Sequence, residues 1–180
     1  MNTRSAQTPI YLWGMPGVGK STIGRALAAR LGRRFIDLDE CIVRASGQKI
    51  TSLFHNGGEA VFRSWEARCL NEVLQENGAP IVALGGGALL DESRRSRVRE
   101  RGCLVCLTAD TATLMERLAH EQDTRPLLNG ESERVHIVQA LQEERASAYA
   151  DCDVEIDTVD RSLDEVISRV LGTLNRECAA

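Results

Sequence analysis

The chain is poor in aromatic residues, with two Trp, two Tyr and three Phe in 180 positions. That leaves few rings on which nucleic-acid bases could stack. A basic surplus is also missing: 22 Lys and Arg stand against 26 Asp and Glu, for a net charge of −4 and an isoelectric point near 5.5. Nucleic-acid backbones are usually met by a basic surface. No apolar run approaches the roughly 20 residues needed to cross a bilayer. Met1 to Thr8 is polar and has no signal-peptide core. Nucleic acid and membrane are therefore disfavoured as partners, and a cytoplasmic location is expected. No repeat, low-complexity tract or linker interrupts the chain, so a single domain over 1–180 is expected.

A disulfide framework is missing as well. Cys41, Cys69, Cys103, Cys106, Cys152 and Cys178 are scattered, and free thiols are expected in a reducing compartment. Cys103 and Cys106 lie in an apolar run that reads as a strand. There an odd offset puts the two sulfurs on opposite faces, so they do not share a metal. His55, His120 and His136 have no second ligand at metal spacing.

Residues 14–21 read Gly14-Met15-Pro16-Gly17-Val18-Gly19-Lys20-Ser21 and match the phosphate-binding pattern G-x-x-x-x-G-K-[ST] in full. Backbone N–H groups of such a loop converge on phosphate oxygens, and the following helix adds the positive end of its dipole. Lys20 can reach the β- and γ-phosphates, and the Ser21 hydroxyl can ligate magnesium. The flanks agree. Ile10 to Trp13 reads as a buried parallel strand, while Ile23, Ala26, Leu27 and Leu31 recur at helical spacing beyond Thr22. The dinucleotide fingerprint fails, because Thr22 stands where Gly or Ala is required.

Further along, Arg33 to Asp39 reads as a second strand that places Asp37 and Asp39 on one side at its C-terminal end. A helix ended by Gly47 follows, then a short helix around residues 50–54. From Gly58 a longer helix carries Val61, Trp65, Cys69, Leu70, Val73 and Leu74 on one stripe and Glu59, Arg63 and Glu66 on another. Ile81 to Leu84 gives a third strand that ends in Gly85-Gly86-Gly87, which permits close approach to a neighbour. A basic helix (Arg94, Arg95, Arg97, Arg99, Arg101) reads as solvated surface. It leads to a strand at 103–107, a helix at 111–119, a polar break at 121–126, a helix at 132–149, a strand at 154–157 and a closing helix at 162–174. This alternation predicts one doubly wound α/β sheet. Arg63, Arg125 and Arg145 lie in separate segments that such a sheet can bring to one crevice, and their planar forks suit carboxylate or phosphate.

These motifs, in this order, resemble shikimate kinases. The resemblance runs from about residue 10 to 170, through Gly14 to Thr22, Asp37-Leu38-Asp39, Gly58-Glu59 with Phe62-Arg63 and Glu66, Gly85-Gly86-Gly87, Arg125-Pro126-Leu127-Leu128, and Arg145 with Tyr149. One departure is Ala146-Ser147-Ala148, where the family often has a proline. The resemblance implies a nucleoside-monophosphate-kinase-like three-layer fold with a five-stranded parallel sheet, a substrate-binding region at about 39–66 and a lid at about 116–128. It implies ATP-dependent phosphorylation of the shikimate 3-hydroxyl, a step of aromatic amino acid biosynthesis, by a monomer using ATP and Mg2+.

On that basis Asp39 serves the attacking hydroxyl as base or orienting group, and Asp37 supports magnesium with Ser21. Gly17, Val18, Gly19, Lys20, Ser21 and Thr22 hold the phosphates, with Arg125 closing over them. Arg63 and Arg145 clamp the substrate carboxylate, Gly85, Gly86 and Gly87 face its hydroxyls, and Arg117, Asp157 and Thr158 lie near adenine. Phe54 and Phe62 match an apolar pocket wall and read nearly as well as core. Two rivals remain: a kinase for another small hydroxy acid such as gluconate, and a catalytically silent ATP-binding module. A GTPase is disfavoured, because no Asn-Lys-x-Asp motif occurs.

Overall fold

A computed structural model describes residues 8–119 and 131–177. In chain order the elements are β1 (Ile10–Gly14), α1 (Lys20–Leu31), β2 (Phe35–Asp37), α2 (Leu38–Ser46), α3 (Ile50–Val73), β3 (Ile81–Ala83), α4 (Glu92–Arg101), β4 (Cys103–Thr108), α5 (Thr111–Ala119), α6 (Glu131–Ala150), β5 (Val154–Asp157) and α7 (Leu163–Glu177). The strands pair in parallel as β2-β3-β1-β4-β5. β1 is central, with Ile10 opposite Ile81 on one side and Cys103 on the other. All five of its residues are buried, which is why it reads as an unbroken apolar run and not as an alternation.

Successive β1 side chains point to opposite faces, and each face has its own helical layer. On the Leu12 face lies α1, so close that a Cβ on Gly24 would meet Leu12 at 3.2 Å and the Phe35 ring at 2.4 Å. α7 packs on α1 and β5. On the other face, Trp13 meets Tyr149 of α6 edge to face at 4.6 Å, and Tyr11 reaches Gly102 at the end of α4. The connection after β1 therefore leaves over one face and the connection after β3 over the other. Between two such neighbouring strands an α/β sheet opens a crevice at its C-terminal edge.

The structure corrects several sequence expectations. Gly58 has φ 69° and ψ −175° inside α3, so the two expected helices join across a kink. Beyond it the buried stripe is Phe62, Glu66, Cys69, Leu70 and Val73, while Val61 is exposed and Trp65 half-buried. A glutamate thus occupies a core-facing position. Among the thiols, Cys41, Cys69, Cys106 and Cys152 are free but Cys103 is disulfide-bonded; a compartment argument says nothing about which sulfurs the fold brings together.

The basic helix α4 is not wholly solvated either. Arg95 is buried, with Nε donating to Asp151 at 2.9 Å and Nη1 to the carbonyls of Leu89 and Leu90, each at 2.9 Å. Arg99 donates to Asp151 and Asp153 at 2.7 and 2.8 Å. Arg95 thereby ties the segment after the Gly85–Gly87 turn to the end of α6. Removing one partner of such a buried set strands the others without a donor. Arg95→Met is expected to destabilise the fold by about 2–3 kcal/mol, read as a lowered urea midpoint at unchanged m-value.

Candidate active site

The loop between β1 and α1 turns through Gly17 (φ 80°) and Gly19 (φ 96°), a left-handed backbone that glycine adopts without penalty. Gly19 caps α1 with no side-chain acceptor, so the first amides of that helix face the cleft as an anion cradle. Lys20 Nζ donates to the carbonyls of Gly14 and Met15 at 3.0 and 2.9 Å, which keeps the ammonium against the loop. Ser21 Oγ donates to Asp37 Oδ2 at 2.6 Å. Asp37 is also the N-cap of α2, its Oδ1 accepting from the N–H groups of Asp39 and Glu40.

That cap corrects the expected placement of the two aspartates. β2 ends at Asp37 and Asp39 lies in the first turn of α2, so strand alternation does not align them. A helix start does. One cavity is lined by Gly17, Gly19, Lys20, Asp37, Asp39 and Gly86, among others.

The Gly85–Gly87 turn after β3 forms the opposite wall, and each of its residues is approached by a different charged side chain. A Cβ on Gly85 would lie 2.8 Å from Glu66 Oε1 and 3.6 Å from Asp39 Oδ1. One on Gly86 would lie 3.3 Å from Arg145 Nη1 and 3.2 Å from Gly14 O. One on Gly87 would run into the Arg63 guanidinium at 2.5 Å. The glycines are needed here for space. Any side chain would push an acid, an arginine or the phosphate loop out of the cleft.

Arg63 is oriented from both sides. Its Nη1 donates to Glu66 Oε2 at 2.7 Å, and its Nε and Nη2 to Glu59 Oε1 at 3.2 and 3.1 Å. The i,i+4 pair with Glu59 helps aim the guanidinium at the turn. Burial works against the Arg63 charge, but the hydrogen bonds and charges of Glu66 and Glu59 outweigh it and raise its pKa. Glu66 is 1% exposed, and burial raises its pKa despite the opposing Arg63 contact. Its Oε1 and the Nε of Arg145 are buried without a hydrogen-bond partner. Phe54 and Phe62 stack at 4.6 Å, Phe62 is buried and Phe54 packs against the core.

At the other end of the cradle, Arg117 donates to Thr158 Oγ1 at 2.9 Å, to Thr158 O at 3.0 Å and to Val18 O at 3.4 Å. The end of β5 is thus linked to the phosphate loop. A second cavity is lined by Thr113, Glu116, Arg117, Asp160 and Arg161. Asp157 turns to Arg161 and to the N–H of Val159. Thr22 is exposed on the first turn of α1. Arg125 and the lid beyond residue 119 lie outside the described residues. Glu66 was not among the candidate site residues from sequence. Its signal was the three-residue offset from Arg63 on the stripe that turned out to face inward.

A family model for shikimate kinase matches residues 16–175. A shikimate kinase from Gloeobacter violaceus is 45% identical over 147 residues, covering 82% of this chain and 81% of that protein. Two solved structures share the fold. Shikimate kinase from Acinetobacter baumannii in complex with shikimate has a TM-score of 0.88 at 31% identity, covering 96% of both chains. Shikimate kinase from Bacteroides thetaiotaomicron has 0.87 at 27%, covering 94% of this chain and 99% of that one.

A raised carboxyl pKa is a statement about stability. Glu66 binds its proton more tightly folded than unfolded, so its contribution is fully present below the unfolded value and is lost as pH rises through the folded one. Glu66→Gln lacks that loss. Relative to the wild type, the variant is expected to gain stability as pH is raised from below the ordinary value of 4.5 to neutrality. Urea midpoints at the two pH values check this, and an identical difference at both would refute it.

Proposed function

This chain belongs to the shikimate kinase family, and from that premise we propose that it transfers the γ-phosphoryl group of ATP to the 3-hydroxyl of shikimate, giving shikimate 3-phosphate and ADP. The observation that carries the assignment is the Gly85–Gly87 turn. Beside a phosphate cradle it gathers Asp39 with Glu66, Arg145, and Arg63, one group per glycine. A small ring bearing hydroxyls and one carboxylate satisfies all of them: hydroxyls beside Asp39 and the turn, the carboxylate between Arg63 and Arg145.

Phosphoryl transfer asks for alignment and charge stabilisation more than for covalent catalysis. In this reading Asp39 orients the attacking hydroxyl and receives its proton as the bond from oxygen to the γ-phosphorus forms and the bond to ADP breaks. Lys20 and the amides of Gly17, Val18, Gly19, Lys20, Ser21 and Thr22 hold the triphosphate. Arg117 and Thr158 border the base with Asp157 behind them, and Arg125 closes on the phosphates. Asp39 to Glu66 forms the acceptor region.

Magnesium fits the residues present. Ser21 Oγ and Asp37 Oδ2 are hard oxygen donors already 2.6 Å apart at the mouth of the cradle. Among the described residues no three His, Cys, Asp or Glu side chains converge on one point. A magnesium ion beside a nucleotide commonly takes one or two protein oxygens together with phosphates and water. When bound there, magnesium offsets charge on the β- and γ-phosphates; Asp37 holds Ser21 in place for it and caps the helix that carries Asp39.

A coupled assay offering shikimate and gluconate separately tests the assignment, and phosphorylation of gluconate alone would overturn it. Asp39→Asn is expected to lower kcat at least about 100-fold with ATP affinity nearly unchanged by calorimetry. Arg63→Ala is expected to raise KM for shikimate about 10- to 100-fold through loss of charge-assisted hydrogen bonds, while KM for ATP stays within about twofold.

A further inference from the structure

One carbonyl in the glycine turn receives two side-chain donors from different elements. Trp13 Nε1, on β1, donates to Gly86 O at 3.1 Å. Tyr149 Oη, near the end of α6, donates to the same oxygen at 3.0 Å. Both rings are buried, at 0% and 8% exposure, and meet edge to face. Burial lifts the Tyr149 phenol to about 12, so it stays a donor at neutral pH. A carbonyl oxygen has two lone pairs, and two donors fixed in separate elements leave it no freedom to pivot.

The orientation of that carbonyl governs the donors of the turn. The chain has no cis peptide among its described residues, and in a trans peptide the C=O and the next N–H point in opposite directions. Holding Gly86 O against Trp13 and Tyr149 therefore turns the Gly87 N–H away from that wall. The Gly86 N–H, one φ/ψ pair earlier, is confined with it. Among the described residues neither N–H donates to a backbone or side-chain acceptor. On the Gly87 side the Arg63 guanidinium stands at 2.5 Å from a notional Cβ.

We propose that Trp13 and Tyr149 are positioning residues for acceptor recognition: by pinning the Gly86 carbonyl they aim the free amides of Gly86 and Gly87 at a hydroxyl of the acid substrate held by Arg63. The inference rests on the shikimate reading of the cleft. It differs from a purely structural role in one respect. Slackened core packing would weaken the binding of every ligand, whereas a mis-aimed amide costs only the hydroxyl it binds.

Tyr149→Phe removes one donor and keeps the ring, whereas Trp13→Phe removes the other donor together with part of a buried indole. Each is expected to raise KM for shikimate about tenfold, the worth of one buried hydrogen bond, with KM for ATP little changed; the urea midpoint should be little changed for Tyr149→Phe and lowered for Trp13→Phe by the cavity it leaves. Tested as calorimetric binding of shikimate and its monodeoxy analogues, the loss should vanish for the analogue lacking the contacted hydroxyl and persist for the others. Unchanged KM for shikimate, or an equal loss across all analogues, overturns the proposal. A second readout does not depend on turnover. In the free protein, labelled with 15N, each variant should shift the Gly86 and Gly87 amide resonances, and unmoved resonances also overturn it. A wild-type protein that fails to phosphorylate shikimate while its variants do shift those amides would sink the substrate assignment and leave the pinned turn standing.

Discussion

The whole site depends on how β1 and β3 lie next to one another. Their register, Ile10 to Ile81 through Leu12 to Ala83, starts the two strands level and ends β3 opposite Leu12, just before the phosphate loop leaves β1, and their connections depart over opposite faces. A phosphate loop and a glycine turn are thereby left facing each other across one strand spacing, about 4.8 Å of backbone separation at the root. Leu84 N–H donates to Leu12 O at 2.9 Å, which carries the pairing to the threshold of both loops. Trp13 then bridges them directly through Gly86 O.

Around that root the fold places polar groups inside. Arg95 reaches Leu89 O, Leu90 O and Asp151, so the segment after the glycine turn is tethered to the end of α6, two residues beyond Tyr149. Tyr149 returns the tie from α6 to Gly86 O. The turn is thus held at its centre by β1 and α6 and at its far end by α4. This matters because Arg145 rides on α6 one turn before Tyr149, and α6 runs unbroken through Ala146-Ser147-Ala148. Fixing Tyr149 against the turn also fixes the distance from Arg145 to Gly86.

Much of this was legible in the residues. Strand, glycine loop and helix at 10–31, the third strand running into Gly85, and the α/β alternation to β5 all have strong local causes: apolar runs, glycine at left-handed positions, caps. What was not legible depends on tertiary choice. The β2 to α2 junction falls at Asp37 because its carboxylate caps a helix; read as a strand, the same residues gave a different reason for Asp37 and Asp39 to sit together. Glu66 reads as one more solvated helix residue until the kink at Gly58 sets the rotation of the rest of α3. Arg95 is one of five arginines on a short helix, and only the position of Asp151 singles it out. In each case a charged residue has an ordinary surface explanation that local pattern cannot remove.

The inward-facing charges also carry a cost in stability. Among the described residues Glu66 Oε1 and Arg145 Nε are buried without hydrogen-bond partners, a condition that costs folding free energy and is uncommon in native structures. Replacing Glu66 with an apolar residue would relieve that cost and repack the core. It would also release Arg63, whose aim depends on Glu66 Oε2 from one side and Glu59 from the other. A surface pair with Glu59 alone contributes little and is easily screened by salt. The buried glutamate therefore secures the direction of Arg63 at the expense of stability. Stability and recognition pull opposite ways at this one residue, which is the expected mark of a site shaped for binding.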